Sequence, residues 1–280
     1  MKPRVWPVYV TLLVALVTML MSGVALGIAA LGIAFARGQH KPDMQALLTH
    51  PAVLLGTVLM SQLMLFLSVR FVPGVLKDVG EGGWAERVGW KKERLHLGRV
   101  GIAWLGTMAV GQIASWLLLP LVGATRNDTL TMIGNAARDA SLPIFALLVL
   151  GGGLAPGLVE EVMFRGLTQR RMVERYGPVA GIAISAFLFG AYHLDLRQGL
   201  AAMAMGWWLG WFAMRDGSVI NVALGHALNN TTAFILSRVL TDTDELDRSP
   251  WVLVSGIAVL SICVALTAKF VRAPPSNELN

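Results

Sequence analysis

Residues 8–36 read VYVTLLVALVTMLMSGVALGIAALGIAFA and contain no Asp, Glu, Lys or Arg. A helix that crosses a bilayer needs roughly 20 consecutive apolar residues, so this stretch is long enough to span one. Lys2 and Arg4 precede it, as basic residues precede the apolar core of a signal peptide, but that core has only about 7–15 residues. We therefore expect 8–36 to be retained as the first membrane span.

The rest of the chain continues this pattern. Of its 280 residues, 55% are hydrophobic and 14% are charged, against about 25% charged residues in soluble domains. This composition excludes a disordered or fibrous chain and does not fit an ordinary soluble globule. Seven further apolar segments follow the first, at 52–72, 100–122, 142–164, 178–196, 199–214, 217–237 and 251–271. The sequence predicts an all-α, polytopic transmembrane helix bundle of about eight spans, forming a single membrane domain over 1–280.

The basic residues predict how the bundle is oriented. Lys and Arg collect in the cytoplasmic loops of membrane proteins. With a cytoplasmic N-terminus, 16 of the 23 Lys and Arg residues fall on the inner side, which favours both termini inside and an even number of spans. The long polar stretch 73–99 lies on this side, either as a cytoplasmic loop or as an interfacial segment.

Composition also limits the partners and cofactors. The net charge of +6 follows from cytoplasmic loops, so we expect the lipid bilayer and no nucleic acid as a partner. Cys263 is the only cysteine, which excludes an internal disulfide and a cysteine-based metal site.

Ionisable side chains inside the apolar segments are the informative exceptions. Such groups cost at least about 2.5 kcal/mol at the centre of a span and therefore point to function. Glu160 and Glu161 end the fourth apolar run. Glu161 and Arg165 are four residues apart with the acid first, the favourable order for an ion pair on a helix. Glu160 points about 100° away and has no local partner. A lone carboxylate in a low-dielectric cleft is a candidate general base, although both glutamates could instead mark the membrane edge.

Two further polar sites follow in later segments. His193 ends a strongly apolar stretch, and His226 and Asn230 share one helix face because they are four residues apart. A histidine and an amide aimed at one point can stabilise a developing oxyanion. Taken alone, His193 fits a hydrogen-bonded structural histidine, and the pair fits a polar contact between helices equally well.

The turns between segments predict that these sites meet. Tyr176-Gly177-Pro178 is a turn signal. Glu160 lies 17 residues before Gly177 and His193 lies 16 after it, so the two are level in an antiparallel hairpin. Gly151-Gly152-Gly153 and Pro156 predict a kink just before Glu160. Arg215-Asp216-Gly217 turns the next pair of helices, which brings His226 and Asn230 toward the same depth. We expect a catalytic core at about 142–237.

This set of residues resembles the CAAX-protease and bacteriocin-processing (CPBP) family of intramembrane proteases. The family carries EExxxR, FxxxH and HxxxN motifs on successive membrane helices. Here they stand, in order, as Glu160-Glu161…Arg165, Phe189…His193 and His226…Asn230. Each motif alone is weak, and their order in a chain of eight apolar segments makes the resemblance specific.

The resemblance implies a role for each motif residue. Glu160 would activate the attacking water with help from His193, and His226 with Asn230 would stabilise the oxyanion. Glu161, Arg165 and Phe189 would support them. The implied protein is an intramembrane endopeptidase of a bacterial inner membrane that needs no cofactor. It would cleave a membrane-anchored or lipidated protein or peptide, and the resemblance does not choose among prenylated proteins, bacteriocins and sorting-tail proteins.

Three alternatives remain open from the sequence. A metal-dependent protease could use the same histidines and glutamates to hold zinc, although the H-E-x-x-H pattern is missing and Asn is a poor zinc ligand. A non-catalytic membrane scaffold or immunity protein could bind a partner in the same cavity. A transporter could use Glu160 and His193 as a proton relay, but such proteins often contain an inverted repeat, and none is visible here.

Overall fold

The computed structural model of the protein describes residues 4–77, 83–122, 129–240 and 249–271, and this part contains helices and turns but no strand. We number the helices α1 (Trp6–Ala36), α2 (Met44–Leu48), α3 (Pro51–Val75), α4 (Trp84–Arg87), α5 (Leu97–Leu117), α6 (Leu119–Val122), α7 (Thr129–Asp139), α8 (Leu142–Tyr176), α9 (Pro178–Tyr192), α10 (Leu196–Asp216), α11 (Val219–Val239) and α12 (Pro250–Phe270).

Each of the eight apolar segments is mainly helical, so the all-α prediction is confirmed for the described residues. Five helical stretches are long and apolar enough to cross a membrane: Trp6–Ala36, Pro51–Val75, Leu97–Val122, Leu142–Tyr176 and Pro250–Phe270. Helix α9 is shorter, with 15 residues, and α10 and α11 carry more polar side chains. The eight-span count and the inward orientation of both termini remain predictions.

The polar stretch 73–99 is a series of short elements packed against the bundle. Residues 78–82, between α3 and α4, lie outside the described part. Helix α4 is followed by a 3₁₀ turn at Lys92–Arg94. Gly89 accepts a backbone hydrogen bond from Val219 at 2.9 Å. The side chain of Val88 is only 2% exposed. This segment therefore covers the end of the bundle at which α11 begins.

Helix α8 is irregular at two places. Its α-helical parts are separated by π-helical stretches at Val149–Leu154 and Val162–Gln169. The first coincides with the predicted irregularity before Glu160, because Pro156 has no N–H to donate and the preceding glycines tolerate unusual backbone. The second, which includes Arg165, was not predicted. Glu160 and Glu161 lie in the short regular turn between them.

Small residues bring the site helices close together. A Cβ added to Gly157 in α8 would lie 2.3 Å from the backbone nitrogen of Ala227 in α11, and one added to Gly190 in α9 would lie 2.5 Å from the carbonyl oxygen of Gly199 in α10. Neither pair of helices would approach this closely with a larger side chain. The motif residues of α8 and α11 thus face each other across a backbone contact.

The two predicted turns are present. Gly177, with φ of +86°, joins α8 to α9, and Gly217, with φ of +72°, joins α10 to α11. Glycine adopts these positive φ values without steric cost. The two hairpins form the part of the bundle that carries all three motifs.

Candidate active site

Glu161, Arg165 and His226 form a buried ionic cluster. An oxygen of Glu161, Oε1, lies 2.8 Å from a terminal nitrogen of Arg165 and 2.8 Å from Nδ1 of His226. None of the three residues is more than 2% exposed. The local pair on α8 was predicted from the four-residue spacing. The contact with His226, 65 residues later, was not.

This contact determines which ring nitrogen of His226 carries a hydrogen. An ionised carboxylate only accepts hydrogen bonds, so Nδ1 donates to Glu161. The other ring nitrogen, Nε2, carries a hydrogen only when the ring is protonated. His226 can therefore donate from Nε2 to a substrate oxygen only as an imidazolium.

The ring of Phe189 packs against Arg165 and both motif histidines. The guanidinium carbon of Arg165 lies 4.5 Å from the centroid of the Phe189 ring. The rings of His193 and His226 meet its edges at centroid distances of 5.1 and 5.9 Å. The phenylalanine of the FxxxH pattern thus joins the arginine and both motif histidines by ring contacts.

His193 follows the last residue of α9 and turns back onto that helix. Its Nδ1 lies 2.9 Å from the backbone oxygen of Phe189. A carbonyl oxygen only accepts, so Nδ1 carries the hydrogen and Nε2 of the neutral ring is left as an acceptor. The residue is partly exposed.

Glu160 has a different environment from its neighbour. Its side chain is buried, at 6% exposed, and Oε1 accepts a hydrogen bond from Nε2 of Gln62 at 3.0 Å. As predicted, it forms no hydrogen bond with a side chain of its own helix in the described part of the chain, and Gln62 comes from α3. The sequence reasoning missed Gln62. The available signal was an amide side chain within the apolar segment 52–72.

Asn230 is in place on α11 but is not joined to the ionic cluster. Its Oδ1 accepts a hydrogen bond from Nδ2 of Asn229 at 3.2 Å, and it is partly exposed. Within the described residues it makes no hydrogen bond to another motif residue. Its own Nδ2 therefore remains able to donate to a substrate from the face that it shares with His226.

The metal-dependent alternative requires several side chains placed around one ion. In the described part of the chain, no group of three or more His, Cys, Asp and Glu side chains is arranged to hold a metal ion. The oxygen of Glu161 that faces His226 is also shared with Arg165, and a cation at that position would compete with the guanidinium.

Comparison with known proteins identifies the part of the chain that carries these motifs. Residues 142–232 match the family model described as type II CAAX prenyl endopeptidase Rce1-like. No curated protein and no solved structure matches the chain. The matched stretch is about a third of the chain, begins with α8 and ends in α11, and includes all seven motif residues. The resemblance read from the motifs is confirmed, since residues 142–232 are similar to the Rce1-like CAAX protease family.

Proposed function

We propose that the protein is an intramembrane endopeptidase that hydrolyses a peptide bond in or beside the membrane with a water activated by Glu160. The contrast between the two adjacent glutamates carries this proposal. Glu161 forms an ion pair with Arg165 and contacts His226, whereas the hydrogen bond that Glu160 accepts in the described part of the chain comes from the neutral amide of Gln62. Paired carboxylates in unlike environments take different roles in acid–base chemistry, and Glu160 is the one free to exchange a proton.

The proposed reaction has two steps. Glu160 accepts a proton from a water molecule while the water oxygen bonds to the carbonyl carbon of the scissile peptide, giving a tetrahedral oxyanion. The intermediate then collapses, the C–N bond breaks, and the proton held by Glu160 passes to the leaving amine. Nε2 of His193, an acceptor in the neutral ring, assists by accepting a hydrogen bond from the water.

His226 and Asn230 are proposed to bind the oxyanion. Both can donate a hydrogen bond from the same face of α11, Asn230 through Nδ2 and protonated His226 through Nε2. Donors fixed before the reaction stabilise charge that develops in the transition state without the cost of reorganising solvent. Glu161 supports this role by holding the ring of His226.

The proposed substrate is a membrane-anchored or lipidated protein or peptide. The family model is named for prenyl endopeptidases acting on CAAX sequences, which makes a lipid-modified C-terminal peptide the first substrate class to test. We also propose the eight-span arrangement with both termini inside, in a bacterial inner membrane. A site so enclosed by helices suits a substrate that enters from the bilayer.

The test is a comparison of membrane proteomes from cells that produce the wild-type protein, Glu160→Gln or Glu174→Gln. Glu174 is an exposed carboxylate on the same helix, so its variant is the matched control. We expect a substrate to gain a new terminus with wild-type protein and with Glu174→Gln but not with Glu160→Gln.

An internally quenched peptide spanning that cleavage site, incorporated in liposomes with purified protein, then confirms direct cleavage. Near-normal cleavage by Glu160→Gln would show that the mechanism is wrong. Activity that is lost on chelation and restored by stoichiometric zinc would favour the metal-dependent alternative.

A further inference from the structure

The amide of Gln62 is an unusual group at the edge of the site. It lies on α3, outside the matched stretch 142–232, and its side chain is only 7% exposed. Burying an amide in an apolar bundle is unfavourable unless its polar atoms are hydrogen bonded. Here Nε2 donates to Oε1 of Glu160 at 3.0 Å, across 98 residues of sequence. The bond joins α3 to the carboxylate proposed as the base.

The other end of the same amide points to a further ligand. Oε1 of Gln62 is buried and has no hydrogen-bond partner among the described residues. Buried acceptors of this kind in proteins are usually satisfied by a bound water. A water bonded to this oxygen would lie beside Glu160, because the two polar ends of an amide are only about 2.2 Å apart.

A second buried glutamine shows what a purely structural amide looks like in this protein. Gln169 is 4% exposed, and its Nε2 donates to the backbone oxygen of Gly210 at 2.8 Å. Its Oε1 also lacks a partner in the described part of the chain. The two glutamines differ in what they bind, since Gln169 joins α8 to a neutral carbonyl of α10, whereas Gln62 binds a carboxylate.

We propose that Gln62 is a positioning residue for the general base, an inference that rests on the proposed function. Its N–H holds one oxygen of Glu160, which leaves Oε2 to take the proton. Its carbonyl oxygen, which has no partner among the described residues, accepts a hydrogen bond from a second, bound water that holds the amide in this orientation. Glu160 thus receives its orientation from α3, and the site includes a helix that the family match does not cover.

The charged and titratable groups of the site come from three helices. Glu160 interacts electrostatically with Arg165 on α8 and with Tyr192 on α9. Glu161 is next to it in sequence, His226 on α11 contacts Glu161, and His193 follows α9. A substitution at Gln62 leaves all of them in place. A change in the acid side of the pH–rate profile therefore reports the loss of the amide.

The experiment compares Gln62→Met and Gln62→Glu with the control Gln169→Met. The readout is the pH dependence of kcat in liposomes, measured with the internally quenched peptide that spans the cleavage site found in the proteome comparison. Gln62→Met removes the donor that holds Glu160, so the acid limb of the profile should move to higher pH.

In Gln62→Glu the shift should be larger, because two adjacent carboxyl groups share one proton. Lower kcat with nearly unchanged KM should accompany both shifts. Gln169→Met should keep the wild-type profile even if it melts at lower temperature.

The outcomes separate this inference from the proposed function. If Glu160→Gln cleaves normally, the proposed function itself fails. If Glu160→Gln is inactive but both Gln62 variants keep the wild-type profile, the inference is wrong and the proposed function stands. If both Gln62 variants fail to accumulate at levels that Gln169→Met reaches, Gln62 is a packing residue and the inference is also overturned.

Discussion

Adjacent residues on a helix can have opposite tasks because they point about 100° apart. Glu161 turns toward α11 and is held by Arg165 and His226, and Glu160 turns toward α3 and meets Gln62. Charge pairing fixes the first carboxylate as a structural anion. The second remains available for proton transfer, so one turn of α8 carries both a structural carboxylate and the proposed general base.

Removing Arg165 should destabilise the protein. Arg165→Ala would leave Glu161, whose side chain has no solvent exposure, with His226 as its remaining partner. Breaking a buried ion pair by removing one member costs about 3–5 kcal/mol, so we expect a lower melting temperature and lower protein levels. Arg175→Ala, at an exposed position of the same helix, should change stability by less than about 0.5 kcal/mol. Equal thermal melts for the two variants would contradict the assigned role.

Asn230 should affect the rate and not substrate binding. A donor that strengthens only as charge develops on the substrate oxygen changes kcat and leaves KM nearly constant. Loss of one such donor typically costs about 10²–10³-fold in rate, which is the loss expected for Asn230→Ala in liposome kinetics. Asn230→Asp should be worse, because a carboxylate repels the oxyanion.

Asn229→Ala is the control for that experiment. In the described part of the chain its amide donates to Oδ1 of Asn230, at 3.2 Å, and its side chain points about 100° away from the face of His226, so its removal should cause a much smaller loss. A raised KM at unchanged kcat in Asn230→Ala, or a larger loss in Asn229→Ala, would make Asn230 a binding or packing residue.

The sequence predicted the contacts that lie within one helix and missed those between helices. The Glu161–Arg165 pair follows from four-residue spacing, which places both side chains on one face. The contacts of His226 with Glu161 and of Gln62 with Glu160 depend on how α11 and α3 are rotated about their axes. Apolar periodicity does not define that rotation when a helix is hydrophobic on all sides.

At the scale of helices, the glycines of α8 decide how closely the site can assemble. Gly157 lies against the backbone of Ala227, next to His226 in sequence, and a Cβ there would be 2.3 Å from the Ala227 nitrogen. Small residues permit such approaches between membrane helices. A shift of either backbone would separate Glu161 from His226.

Gly157→Ala should therefore impair both folding and catalysis. Overpacking of this kind costs about 1–3 kcal/mol, and moving α11 by about 1 Å from α8 should lower kcat by roughly 10²-fold. Thermal melts and liposome kinetics measure the two effects. Gly23→Ala in α1, where an added Cβ would meet no atom within 4 Å, is the control. If the two variants behaved alike, the close contact would have no functional importance.

Helix boundaries were predictable only where a local signal exists. The turns at Gly177 and Gly217 were predicted because glycine with a neighbouring Pro or Asp is a strong turn signal. The segment 178–196 was predicted too long, since α9 ends at Tyr192 and Asp195 accepts a hydrogen bond from the backbone of Gln198 to cap α10. The π-helical stretch at Val162–Gln169 follows from packing between helices and left no comparable mark in the sequence.

On the scale of the whole molecule, contacts between connecting segments define two ends of the bundle. At one end, Arg170 donates to the backbone oxygen of Glu86, and Val219 donates to that of Gly89. At the opposite end, the backbone and hydroxyl of Thr129 both donate to Asp195. The segment after α3 thus shares an end with the α10–α11 turn, and the start of α7 shares the other end with the α9–α10 turn.

These two ends should lie on opposite sides of the membrane, with the first in the cytoplasm. The basic residues support the assignment, since 16 of the 23 Lys and Arg residues fall on that side when the N-terminus is inside and positive loops stay in the cytoplasm. Topology reporters fused at residues 85, 130 and 243 should read inside, outside and outside. Residue 243 lies outside the described part of the chain, so the outside signal expected there rests only on the predicted even number of spans. An outside signal at 85 would reverse the orientation, and equal signals at 85 and 130 would mean that α5 and α6 do not carry the chain across the membrane.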